Sequence, residues 1–105
     1  MSIFQMKMTV RKDKVDELLG TLRALTCNFS EYKESLSYDV YQGVEQTNNF
    51  CIIADLKSEK ALKDHFNSRN FKILMGAART LSEDFKLVIA NDVKKGSFEL
   101  VNYIN

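Results

Sequence analysis

The chain has 105 residues, of which 45% are hydrophobic and 28% charged, and its formal net charge at pH 7 is +1. This length fits one compact domain, and a domain this small leaves much apolar surface uncovered unless another chain packs on it. The nearly balanced charge gives no electrostatic reason to expect binding to nucleic acid or to an acidic membrane surface. We therefore treat residues 1–105 as a single domain and expect a second copy as its partner.

The first ten residues alternate between apolar and polar side chains and lack the apolar core of a signal peptide. No apolar run reaches the roughly 20 residues needed to span a bilayer, so we expect a cytoplasmic protein. Cys27, Cys51 and the single histidine, His65, do not have the spacing of a zinc site. We expect no metal site and interpret both cysteines as buried free thiols.

The first two predicted elements are a strand and a helix. Phe4, Met6, Met8 and Val10 alternate with polar residues, which predicts a strand with one face in a core. A helix is predicted from near Asp13 to between residues 26 and 29. Its apolar stripe consists of Val15, Leu18, Leu19, Leu22 and Leu25.

A hairpin follows. Leu36, Tyr38 and Val40 alternate with polar or amphipathic residues and predict a second strand that stops at Gly43. The segment VEQTNN is rich in turn-forming residues. The third strand, from Phe50 to Lys57, is expected to pair with the second.

The helical region after residue 57 is predicted to have two parts. Ser58 is expected to be an N-cap, and the helix is expected to pause at Asn67 and Ser68, where a second cap restarts it. Phe71, Leu74, Met75, Ala78 and Leu81 fall on one face of the second part. A fourth strand from about Phe85 to Asp92 and a fifth from Phe98 to Ile104 complete the prediction.

This order predicts an α+β fold of the ferredoxin-like βαββαβ type, an antiparallel sheet with its helices on one face and an extra C-terminal strand. We place the core at about residues 3–93 and the tail at residues 97–105. The third and fourth strands, interpreted as central, carry apolar residues on both faces, including Cys51, Ile53, Val88 and Ala90. We therefore expect a homodimer in which two sheet faces cover each other. The tail strand could pair with the partner's edge or with its own sheet, and both options remain open.

Two segments, LSYDVYQG and NNFCIIADLKSEKALKDHFNSRNFKILM, resemble the antibiotic biosynthesis monooxygenase superfamily, which includes quinol monooxygenases of the YgiN type. The best match is the spacing S-E-K-A-L-x-x-H-x-x-S-x-x-F between Ser58 and Phe71. The resemblance implies a dimeric α/β barrel with a pocket between helices and sheet in each protomer. It also implies a monooxygenase that oxidises a small aromatic or quinol-type substrate with oxygen and without metal or cofactor. Members often carry Glu and Trp on the third strand where this chain has Ala54 and Leu56.

His65 is the candidate catalytic residue, because imidazole is the side chain whose unperturbed pKa lies nearest neutrality. A base that removes a phenolic proton would leave an electron-rich anion, as reaction with oxygen without a cofactor requires. The structural alternative is that His65 donates to carbonyls at the end of its helix or pairs with a carboxylate near Asp64.

Six further residues are candidates for substrate binding. Tyr38 and the apolar side chains could line a pocket or simply pack in the core. Arg79 could hold an anionic group if it turns inward. The six are Tyr38, Phe66, Phe71, Leu74, Met75 and Arg79. Two functions remain open: an oxygenase, or a non-catalytic small-ligand-binding or stress-related dimeric module on the same fold.

Overall fold

The computed structural model of the protein describes residues 1–29 and 35–92. Within these two ranges, four strands and three helices follow one another, with one turn of 3₁₀ helix at Lys12–Lys14 before the first helix. They are β1 (Ser2–Val10), α1 (Val15–Phe29), β2 (Ser35–Gln42), β3 (Asn49–Leu56), α2 (Glu59–Phe66), α3 (Arg69–Leu81) and β4 (Ser82–Ala90). The predicted tail strand from Phe98 to Ile104 lies outside the described residues.

The four strands form one antiparallel sheet in the order β2-β3-β1-β4. This order confirms the predicted ferredoxin-like arrangement, in which each crossover helix connects strands that are separated by another strand. The start predicted for the fourth strand, at about Phe85, was wrong. α3 ends at Leu81, and Ser82 already has extended backbone angles, φ −96° and ψ 146°, so β4 begins three residues before Phe85.

The core lies between the sheet and the helices. Alternate residues of β1 and β3 point to this side of the sheet, which we call the helix side, and Phe4, Met6 and Ile52 there are completely buried. Leu18 of α1 and Leu74 of α3 are buried against them. The apolar stripes predicted for both helices therefore pack as expected.

Two serines fix the junction between α2 and α3, as predicted. Ser58 Oγ accepts a hydrogen bond from the Ala61 amide at 3.1 Å, and Ser68 Oγ accepts one from the Phe71 amide at 3.2 Å. The Ser68 hydroxyl also donates to the His65 carbonyl at 2.6 Å. Ser68 thus ties the end of α2 to the start of α3, so that His65 and Phe71 point into the same interior region.

The prediction that the fourth strand is central was wrong for the described sheet, in which β4 is an edge strand. Phe85 and Ile89 pair with Met8 and Phe4 and so share the helix side, but they are 36% and 45% exposed. Only β1 flanks β4 there, so the helices cover this strand incompletely.

The opposite face of the sheet, which we call the open face, is partly apolar. Ile53 and Val88 flank Gln5 in the pairing register, and Val88 is 46% exposed. Cys51, expected to be buried, is half-buried on this face, because the described helices pack on the other side of the sheet. The side chain of Cys27 lies outside the described part. No helix among the described residues is long and apolar enough to cross a membrane.

Candidate active site

Five ring-bearing side chains meet on the helix side of the sheet, and we call them the aromatic cluster. Phe4 of β1 and Tyr38 of β2 are both pairing partners of Ala54 on β3. Because Ala54 carries only a methyl group, the two rings meet above it, with centroids 5.8 Å apart and planes at 74°. The cluster consists of Phe4, Tyr38, His65, Phe66 and Phe71.

His65 lies inside this cluster and is 3% exposed. Its ring stacks on Phe4 at a centroid distance of 5.7 Å and an interplanar angle of 20°, and it packs against Phe71 at 5.3 Å. The Tyr38 hydroxyl oxygen lies 3.4 Å from His65 Nε2. This edge of the imidazole therefore faces a polar group that is itself only half-buried.

Burial determines the charge state of the pair. Loss of hydration disfavours the imidazolium and lowers the pKa of His65 to about 4. The same effect raises the pKa of the Tyr38 phenol above its ordinary value. At neutral pH the site therefore holds a neutral imidazole, which can accept a proton, beside a neutral phenol, which can donate one.

The pKa of His65 predicts a pH dependence of stability. The unfolded chain binds a proton at pH values below about 6.5, whereas the folded protein does so only below about 4. The free energy of unfolding should thus be at its full value above pH 6.5 and fall as the pH drops towards 4. The loss should reach up to about 3 kcal/mol, since one pKa unit corresponds to about 1.4 kcal/mol.

Urea unfolding curves between pH 4 and 7.5 measure this loss. Carboxylates titrate in part of this range, so the comparison is with His65→Gln, which should lose less stability than the wild type over the same interval. Equal losses in the two proteins would contradict the assigned pKa.

The structure brings together half of the predicted substrate-binding residues. Tyr38, Phe66 and Phe71 all belong to the aromatic cluster. Leu74 is completely buried in the core, and Met75 is half-buried against it.

Arg79 was a candidate for an anionic group on the condition that it turned inward, and in the structure Arg79 is exposed. It follows the buried Ala78 by one residue, and one residue rotates the side chain by about 100° around a helix, away from the packed face. Phe4 was missed as a member of the cluster. The sequence shows that Phe4 is an aromatic residue on the buried face of a strand. It does not show that Phe4 pairs with Ala54, which places it beside Tyr38.

Two surface depressions lie away from the aromatic cluster, outside the place between helices and sheet where the sequence predicts a pocket. A depression of about 460 Å³ lies on the open face, where Lys7, Tyr41, Cys51 and Lys86 line it. A second one of about 470 Å³ lies between Lys12, Val15 and the hairpin loop. No group of three or more His, Cys, Asp or Glu side chains in the described ranges is arranged as metal ligands would be.

The antiparallel sheet with α1, α2 and α3 on one side defines a ferredoxin-like α+β protein. The sequence profile of the antibiotic biosynthesis monooxygenase family matches residues 1–76. The chain belongs to this family, which confirms the resemblance at the level of the superfamily.

Solved structures agree with this fold. A crystal structure of an antibiotic biosynthesis monooxygenase is similar at a TM-score of 0.80 and 19% identity, covering 90% of this chain and 100% of that one. A conserved protein from Methanosarcina mazei Go1 is similar at a TM-score of 0.78 and 22% identity, covering 87% of this chain and 92% of that one. Rv0793 from Mycobacterium tuberculosis is similar at a TM-score of 0.81 and 16% identity, covering 91% of this chain and 98% of that one. No curated protein matches the sequence.

Proposed function

We propose that this protein is a cofactor-independent monooxygenase that oxidises a small aromatic or quinol-type substrate, with His65 as the general base. The observation that carries the proposal is the neutral, buried His65 whose Nε2 lies 3.4 Å from the Tyr38 hydroxyl inside an aromatic cluster. The membership of a monooxygenase family supports the type of reaction.

The depressed pKa is compatible with this role. Proton transfer from a phenolic substrate with a pKa of about 10 to an imidazole with a pKa of about 4 is unfavourable in itself. The products, however, are a phenolate and an imidazolium in direct contact, and opposite charges attract more strongly in a poorly solvated site than in water. Transfer therefore depends on this attraction and requires a substrate bound directly against the pair. The anion then reacts with dioxygen: one oxygen atom is added to the substrate, the other leaves as water, and the substrate supplies all four electrons.

The composition of the site favours a planar, largely apolar substrate. Tyr38, Phe66 and Met75 are half-buried and so lie between the interior and the solvent. Aromatic rings stack well on planar rings, and the thioether of methionine also makes favourable contacts with them. Arg79, which remains in solvent, is left out of the binding set, so an anionic substituent is not required.

We further propose that the protein is a homodimer joined through the open faces of two sheets. Gln5 stands between the aliphatic residues Ile53 and Val88 in a row across this face, and burying an aliphatic side chain there contributes about 1.5–3 kcal/mol before the costs of association. A second copy would cover this row symmetrically.

Oxygen uptake tests the enzymatic assignment. The protein is mixed with menadiol, other quinols or a hydroxynaphthalene in an oxygen electrode, and menadione serves as the control because it is already oxidised. Uptake above the spontaneous rate, proportional to protein concentration, is the expected result. A rate equal to the buffer blank for the whole set would contradict the proposal.

One observation favours a second candidate, a non-catalytic ligand-binding module. Ala54 and Leu56 are completely buried and apolar at the positions where the family resemblance places Glu and Trp, so polar groups of that kind are lost from this side of the sheet. This candidate predicts that menadione binds with micromolar affinity while menadiol is not consumed faster than in buffer.

A further inference from the structure

The residue to which chemistry is assigned is almost completely buried. His65 is 3% exposed and stacks on Phe4, with Phe71 packed 5.3 Å from its ring centre. Tyr38 is half-buried and occupies the Nε2 edge of the imidazole. A substrate that enters from solvent along this edge therefore meets the phenol of Tyr38 before it meets the imidazole.

Tyr38 also sits where the backbone can adjust. It lies on β2, an edge strand, and the pairing of β2 with β3 shifts register between Ser35 and Ser37, directly before Tyr38. Such irregularities at sheet edges redirect side chains and are common beside active sites. Its ring is nevertheless held, edge-on to Phe4 at 5.8 Å and to His65 at 5.6 Å.

We propose that Tyr38 is a catalytic proton relay, which passes the substrate's proton to His65 Nε2; this inference rests on the proposed function. The substrate hydroxyl donates its proton to Tyr38 Oη while the Tyr38 hydroxyl proton moves to His65 Nε2. Tyr38 gains one proton and loses one, so it ends neutral. The substrate becomes a phenolate and His65 an imidazolium.

The geometry fits this transfer in the free protein. The present separation of 3.4 Å is long for a hydrogen bond, and catalytic hydrogen bonds in unliganded sites are commonly long and shorten when substrate binds. The relay requires the imidazole proton to be on Nδ1, so that Nε2 accepts from Tyr38. The neutral phenol keeps the proton that the relay needs.

Tyr38→Phe tests the relay, because it keeps the ring that packs on Phe4 and removes only the hydroxyl. The relay predicts that kcat for a quinol falls by about a hundredfold or more with KM changed by less than about threefold. Tyr41→Phe is the matched control: it makes the same change three residues along β2 on the open face, where Tyr41 is 55% exposed, and should leave kcat unchanged. An unchanged or raised kcat in Tyr38→Phe would overturn the relay, since substrate would then reach Nε2 directly.

A second readout does not depend on turnover. The protein is labelled with ¹⁵N-histidine and titrated with 1-naphthol, a planar phenol. The relay predicts that naphthol shifts the His65 Nε2 resonance in the wild type and that Tyr38→Phe abolishes this shift although naphthol still binds. A shift that persists in Tyr38→Phe overturns the relay. If the proposed function fails, the result is different: naphthol leaves the His65 Nε2 resonance of the wild type unchanged, and that result overturns both the proposed function and the relay.

Discussion

Replacing His65 by glutamine should lower kcat for oxidation of a quinol by about 10²- to 10⁴-fold, the usual contribution of a positioned general base. Glutamine can still form hydrogen bonds in the space of the imidazole but cannot take up a proton at neutral pH. The substrate would then have to lose its proton to water, which is far scarcer in a site that is 3% exposed at its centre.

The controls for this variant separate chemistry from folding. Asp64→Asn changes the adjacent exposed residue of α2 and should retain kcat within about twofold, since surface changes are usually within 0.5 kcal/mol. Circular dichroism and melting curves establish that His65→Gln remains folded at the assay temperature. A folded His65→Gln protein with wild-type kcat would remove the catalytic assignment of His65.

Replacing Ile53 by aspartate should convert a dimer of the 12.1 kDa chain into monomers at micromolar concentration. The side chain lies in the middle of the open face, between Gln5 and Asp39 in the pairing register. The change removes an aliphatic contact worth about 1.5 kcal/mol or more, and a symmetric interface contains it twice. The dissociation constant should therefore rise at least about a hundredfold, and desolvation of the two new carboxylates adds to the effect.

Sedimentation equilibrium measures this change. Ile73→Asp is the matched control, because it makes the same substitution on the solvent side of α3, where Ile73 is 43% exposed. It should leave the dimer intact. A wild-type protein that stays folded at 12.1 kDa, or an Ile53→Asp protein that remains dimeric, would contradict association through the open face.

Most of the fold was predictable because local patterns determine it. The alternation in β1 and β3 identified the buried faces, and the hydroxyls of Ser58 and Ser68 marked the starts of α2 and α3, where both accept hydrogen bonds from backbone amides. These signals act within a few residues. They do not depend on how the strands are arranged.

The assembly of the site was less predictable, because it depends on register between strands that are distant in sequence. His65, Phe66 and Phe71 could be grouped from helical spacing and capping alone. Phe4 joins them only because β1 and β2 both pair with β3 so that Phe4 and Tyr38 flank Ala54.

The position of β4 and the orientation of Arg79 also could not be predicted from the sequence, for different reasons. The apolar residues of β4 were interpreted as those of a central strand, yet the pairing order leaves β4 at the edge of the described sheet, with Ile89 45% exposed. Arg79 was a candidate only if it turned inward, and its place near the end of α3 did not by itself decide that orientation. The buried positions of Ala78 and Leu81 leave Arg79 on the solvent side.

The position of the bound ligand tests the central claim, that the functional site is the aromatic cluster on the helix side of the sheet. Menadione is titrated into uniformly ¹⁵N,¹³C-labelled protein, and side-chain and amide shift changes are followed by NMR. The largest changes should fall on His65, Tyr38, Phe66 and Phe71. Changes concentrated on Lys7, Cys51 and Lys86, which line the depression of the open face, would contradict it.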